Sequence, residues 1–292
     1  LAAEFRRHRN ADPAALDDLL ERVLETGGRG DAAIGSALAA FLVANAVERG
    51  QHLFAELAGL AQHRLDDIRR GIGKARQIAV TVEVQDVVEQ EQGVVHGRSF
   101  RDGNLFYNVA REQEGGEPFV RMVQWPSYHQ PVLDTVRLDT RFAELFEPLI
   151  GCDLKQIINQ VHWKALGSLG DFAWHQDSRS RRPASAFRNL ATAYVQTGLA
   201  IDAHNPESGG MRLIPRSHLR GDLNMDCSKK SLGTAPTDAA LEAVGLTAAD
   251  AVELVLEPGD LALWSPYLVH ASGTNRSSHK RRFYINGYVR AA

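Results

Sequence analysis

In a chain of 292 residues with eleven histidines and two cysteines, the side chains best spaced for chemistry are His175 and Asp177, in Trp174-His175-Gln176-Asp177. On a β-strand, residues i and i+2 point to the same face. An imidazole and a carboxylate would then project side by side from one rigid element and hold one face of a divalent cation. A third ligand is needed. His270 is the natural candidate, since it follows a strand, a turn and the start of another strand from Asp260 to Val269. Two histidines and one carboxylate leave three octahedral positions open, the set associated with non-haem Fe(II) oxygenases. Alone, His-x-Asp also recurs by chance, and a lone buried histidine is more often a satisfied core residue. Cys152 and Cys227 are too few for a thiolate-rich zinc or iron–sulfur site, so a metal would rest on histidine and carboxylate.

Arg281 stands eleven residues after His270 and opens the strand-like run Arg282–Val289. A guanidinium beside a metal face makes a fork for a carboxylate, as a 2-oxo diacid would need; the alternative is a surface cation flanked by Lys280 and Arg282. Between the ligands, Glu207 to His218 reads as a glycine turn, a short strand and a proline-bounded corner, with His218 structural. Arg179, Arg181, Arg182 and Arg188 cluster just past Asp177. Their loop is either a lid for an anionic substrate, with Arg179 and Arg188 as contacts, or a solvated basic stretch. Phe106, Tyr107, Trp125 and Tyr128 either line a substrate pocket or pack in the core.

The elements that must position these residues divide by texture. Residues up to about 75 read as a helical layer, with Asp12-Pro13 opening the first helix and Leu16, Leu19, Leu20, Val23 and Leu24 at helical spacing. Ala79–Val84 alternates like a strand, polar loops follow at Glu89–Gly93 and Glu112–Glu117, and Arg141–Ile150 reads as a helix ended by Gly151. Beyond it come short strands at Ile157–Lys164, Phe172–Asp177, Thr192–Ile201, Met211–Pro215, Val252–Leu256, Asp260–Trp264 and Arg282–Val289, with a helical insert at Thr237–Val244. Many short strands with Gly/Pro turns point to a barrel or sandwich. No repeat or linker is visible, so one catalytic domain is expected over residues 1–292.

The balance of 33 Lys+Arg against 36 Asp+Glu lacks the basic excess of a nucleic-acid binder. The longest apolar run, Ala37 to Val47 interrupted by Asn45, falls short of the roughly 20 residues that span a bilayer. No apolar stretch follows the charges of Leu1–Arg7, so no signal peptide is expected; cytoplasmic residence is the default, and further residues can precede Leu1. The expected partner is a small molecule, not nucleic acid or membrane; oligomeric state is unreadable.

The sequence resembles the phytanoyl-CoA dioxygenase family of Fe(II)- and 2-oxoglutarate-dependent oxygenases. Trp174-His175-Gln176-Asp177, the stretch from Gly209 to His218, Pro258-Gly259-Asp260, and His270 followed by Arg281 carry the resemblance, over about Asp139 to the C-terminus. It implies a mainly β fold, a double-stranded β-helix (a jelly-roll, cupin-like core) with the N-terminal helices packed on one sheet. It implies His175, Asp177 and His270 as iron ligands and Arg281 for the distal carboxylate of 2-oxoglutarate, supported by Ser272. Gln176 matches a residue lining the co-substrate pocket, and Lys164 matches a strand lysine of open role. The implied reaction consumes O2 and 2-oxoglutarate, hydroxylates an unactivated C–H bond, and releases succinate and CO2. A cupin-like metalloenzyme that does without 2-oxoglutarate, or an inactive barrel that only binds, are the alternatives.

Overall fold

The computed structural model describes residues 95–111, 115–166, 171–225 and 234–291. The expected helical layer up to residue 75 and the strand at Ala79–Val84 lie outside them. The described chain runs β1 (Phe100–Asp102), β2 (Leu105–Ala110), β3 (Phe119–Gln124), α1 (Pro131–Arg137), α2 (Thr140–Ile150), β4 (Leu154–Lys164) and β5 (Phe172–His175). It continues through β6 (Tyr194–Ala200), β7 (Met211–Leu213), α3 (Asp238–Glu242), β8 (Val252–Glu253), β9 (Leu261–Trp264), β10 (His270–Ser272) and β11 (Arg281–Arg290). The strands form a seven-stranded sheet, β1-β2-β3-β4-β11-β6-β9, and a four-stranded sheet, β5-β10-β7-β8. Every pairing is antiparallel.

Strand alternation sorts side chains between two compartments. On β9, Ala262 and Trp264 point inward with Phe283 of β11 and Met211 and Leu213 of β7, forming the core between the sheets. Leu261 and Leu263 point outward and pack with Val161, Trp163, Val195, Leu199, Tyr284 and Tyr288. This outer face is covered by α1 and α2. Pro131 opens α1 at a position whose N–H would have no helical acceptor. Asp139 caps α2 by accepting from Arg141 N at 3.0 Å, and Gly151 ends it at φ 90°. Phe142, Leu145, Phe146 and Ile150 form its buried face, and Leu149 is partly buried against the same core. The outer face of the smaller sheet has its own core, with Trp174, Ile214, Val269 and Ala271 against Leu241 of α3.

The seven strands read from the second half all form, β4 and β11 longer than read and the other five shorter. The largest change is at Val252–Leu256: only Val252 and Glu253 join the sheet, and Leu256 instead bridges to His204. Thr237 stands at the N-cap of α3 but makes no side-chain cap bond. Strands β1 to β3 and helix α1 are additions to the sequence expectation. In β3 the alternation is broken by a bulge: Asn108 pairs with Met122 and Val109 with Val120, so Arg121 has no cross-strand partner.

Candidate metal centre

His175 and His270 are direct cross-strand partners on β5 and β10. Their rings lie 4.2 Å apart between centroids. Each is oriented by the backbone two residues before it. His175 Nδ1 meets Ala173 O at 2.7 Å and His270 Nδ1 meets Leu268 O at 2.9 Å. Both Nε2 atoms are therefore left to face Asp177, at 3.9 Å from Oδ1 and 4.0 Å from Oδ2. One donor atom from each of the three residues lies within 4.8 Å of the others.

The expected strand stops at His175, and Asp177 opens a 3-10 turn, Asp177–Ser180. The i, i+2 geometry survives because Gln176 between them stays extended, at φ −113° and ψ 140°. The same alternation corrects the expectation for Gln176. Its side chain points away from the ligands, donates to Gly221 O at 2.8 Å and Tyr267 O at 2.6 Å, and accepts from Leu223 N at 2.8 Å. It braces the loops behind the site. The turn is pinned by Ser178 N donating to Pro266 O at 2.9 Å.

Protonation states suit a cation. Burial, then the neighbouring His270, pushes His175 down to about 4, which keeps the imidazole neutral near pH 7. Burial drives Asp177 upward, but His270, His175 and Arg181 outweigh it and hold the carboxyl below its ordinary range. A neutral imidazole and an ionised carboxylate are the forms that ligate metal. Trp264 Nε1, from the opposite sheet, donates to Asp177 Oδ2 at 2.9 Å.

These groups form part of the wall of a cavity of about 570 Å3, a size suited to small molecules. Arg281 lines it from β11 and is buried, not a surface cation. Its Nη2 donates to Gly209 O at 3.0 Å, while its buried Nε has no partner among the described residues. Burial lowers it to about 10, so it remains cationic at neutral pH. Ser272 lines the same cavity, and its Oγ accepts from Lys164 Nζ at 2.8 Å. Lys164 also donates to Gly209 O at 3.1 Å and to Gly273 O. Its three donors thus hold the turn at Gly209 against Ser272, behind the cavity wall. Gly209 has φ +67°, and an added Cβ would stand 2.5 Å from Gly273 O, so only glycine lets the two turns meet.

Other sequence candidates separate. Arg179 lines the cavity; Arg188 is exposed and does not. Tyr107 belongs to the outer core, stacked on Phe100 with centroids 4.5 Å apart, because its strand turns that face toward the helices. Trp125 leaves β3 at φ 61° and packs near Tyr128, also away from the cavity. The lining residues outside the sequence assignments include Arg121 on the bulge of β3, His162 on β4, and His204. Burial, then Arg281, pushes His162 down to about 3. His204 Nε2 accepts from Met211 N at 2.7 Å, which assigns the proton to Nδ1, and Nδ1 has no partner among the described residues.

The sequence profile of the phytanoyl-CoA dioxygenase (PhyH) family matches residues 11–283. The match therefore begins well before Asp139, where the motif resemblance starts. Dioxygenase lolE1 of Epichloe uncinata is 24% identical over 161 residues, 55% of this chain and 56% of that protein, so the chain spans about half of this relative. A probable alpha-ketoglutarate-dependent hypophosphite dioxygenase of Stutzerimonas stutzeri is 20% identical over 239 residues, 79% of each chain. The crystal structure of EctD from S. alaskensis with bound Fe superposes with a TM-score of 0.51 at 16% identity, covering 72% of this chain and 68% of that one, which shows a shared double-stranded β-helix fold. With the profile spanning nearly the whole length, the chain belongs to the phytanoyl-CoA dioxygenase family.

Proposed function

We propose that the protein is a non-haem Fe(II)- and 2-oxoglutarate-dependent dioxygenase that hydroxylates a C–H bond of a small molecule and releases succinate and CO2. The observation that carries this reading is the convergence of two imidazoles and one carboxylate on a cavity that also holds a buried arginine with an uncommitted donor. His175, Asp177 and His270 would hold the metal. A bound Fe(II) would supply the activation of dioxygen, coupled to oxidative decarboxylation of 2-oxoglutarate.

The chain's own residues do the rest. Arg281 and Ser272 offer a fork and a hydroxyl to the distal carboxylate of 2-oxoglutarate. Lys164 positions that end through Ser272 and Gly209. Trp264 fixes the carboxylate of Asp177. Met122, Ile158, Phe172 and Ile285 give the cavity apolar walls that limit water. Among the described residues no helix is long and apolar enough to cross a membrane.

Purified protein supplied with Fe(II), ascorbate, oxygen and 2-oxoglutarate is expected to form succinate above the metal-free blank. Arg281→Ala is expected to weaken 2-oxoglutarate binding about tenfold or more, the scale of charge-assisted hydrogen bonds. No succinate from the wild type, together with unchanged 2-oxoglutarate binding in Arg281→Ala, would overturn the reading.

A further inference from the structure

The cavity carries more positive charge than a metal and 2-oxoglutarate would use. A divalent ion, Asp177, Arg281 and the 2-oxoglutarate dianion cancel one another. Arg121, Arg179 and Arg181 also line the cavity, and among the described lining residues Asp177 is the sole acid.

Two of these arginines are built in. Arg121 is the extra residue of the β3 bulge, and bulges re-aim side chains beside active sites. The bulge lets Arg121 and its chain neighbour Met122 both reach the cavity, which regular alternation forbids. Arg121 Nε donates to Asn108 Oδ1 at 3.1 Å, which orients the guanidinium, and its Nη atoms have no partner among the described residues. Arg181 is only 6% exposed. It donates to Tyr194 Oη at 2.6 Å, and its buried Nε has no partner among the described residues. Neither arginine forms a salt bridge among the described residues. Arg121 is half-buried and Arg181 buried, and a guanidinium withdrawn from water without a carboxylate is costly unless an anion completes it.

From this we infer that Arg121 and Arg181 recognise an anionic group of the primary substrate, a compact oxyanion such as a carboxylate or phosphonate, with the substrate's apolar body against Met122, Ile158 and Ile285. The inference rests on the proposed function, because it places substrate beside the metal and co-substrate in the same cavity.

The test is calorimetric titration of protein loaded with Zn(II), which does not turn over, and saturating 2-oxoglutarate. The probes are hexanoate, hexylphosphonate and uncharged hexanamide. At least one anion is expected to bind about tenfold or more tighter than the amide. Arg121→Gln and Arg181→Gln are each expected to weaken the anion about tenfold and the amide less than about twofold. The carboxylate and phosphonate arms identify the preferred oxyanion. Arg121→Lys and Arg181→Lys keep the charge, so partial recovery separates recognition from folding. If anions bind no tighter than the amide, or both Gln variants leave anion affinity unchanged while 2-oxoglutarate still binds, the inference falls and the proposed function stands. If the wild type does not bind 2-oxoglutarate, the proposed function falls. The same anion titrations on Zn(II)-loaded Arg281→Gln then read Arg121 and Arg181 directly, with the same criteria.

Discussion

One hydrogen bond ties the carboxylate of the metal site to the opposite sheet. Trp264 Nε1 donates to Asp177 Oδ2, and Asp177 sits on a turn, not within a strand. Without that bond the carboxylate is held only by its backbone, while both histidines keep their carbonyl partners. Trp264→Phe preserves most of the apolar packing and removes the donor. It is expected to weaken Fe(II) or Zn(II) binding about 10- to 100-fold, the usual scale for groups that orient a ligand. Competition with a chelator of known affinity measures it; unchanged metal affinity would show that the turn alone positions Asp177. At this scale the sequence is most legible where local spacing decides direction. His175 and Asp177 share a side because of strand alternation, and the same rule sends Gln176 the other way, which the family likeness obscured. Arg121 and His204 carry no such signal. One sits on a bulge and the other on a loop, where no regular period fixes which way a side chain points.

Element packing explains a glycine that no turn requires. Gly198 lies in the middle of β6, pairs with Ile285 of β11, and faces the space between the sheets. An ideal Cβ there would stand 2.1 Å from the ring of Phe283. Phe283 in turn packs against His204 at 4.5 Å and is part of the inner core with Trp264. Gly198→Ala must displace that ring, since the strand backbone is held on both sides. Overpacking of this kind costs about 1–3 kcal/mol, which for a domain of this size lowers the melting temperature by roughly 2–12 °C. Gly198→Ala combined with Phe283→Leu should recover part of the loss; a melting temperature unaffected by Gly198→Ala would show that the inner face is looser than its contacts imply. The strands of the second half are legible because their alternation is regular and their turns carry Gly and Pro. The first three strands are not. Their period is interrupted by the bulge at Arg121, and Tyr107, an aromatic that looks suited to a pocket, faces the helices instead.

The whole molecule divides the site between two sheets, and this has a thermodynamic consequence. His175 and His270 belong to the four-stranded sheet, with Asp177 on the turn that follows it. Arg281 belongs to the seven-stranded sheet. A metal alone joins elements at one edge of the site. A co-substrate that reaches from the metal to Arg281 joins the two sheets across their shared core. The stabilisation by 2-oxoglutarate should therefore require both the metal and Arg281. A ligand at about one hundred times its dissociation constant adds about 2.7 kcal/mol to the folded state. That corresponds to a rise of about 5–10 °C in the melting temperature of a domain of this size. Thermal unfolding with Zn(II) in place of Fe(II) checks this without turnover. Zn(II)-loaded wild type is expected to gain that rise on adding 2-oxoglutarate, whereas chelator-treated protein and Zn(II)-loaded Arg281→Ala should gain about 2 °C or less. An equal rise in the chelator-treated protein would mean that 2-oxoglutarate binds without the metal, and the bridge between the sheets would have to be abandoned.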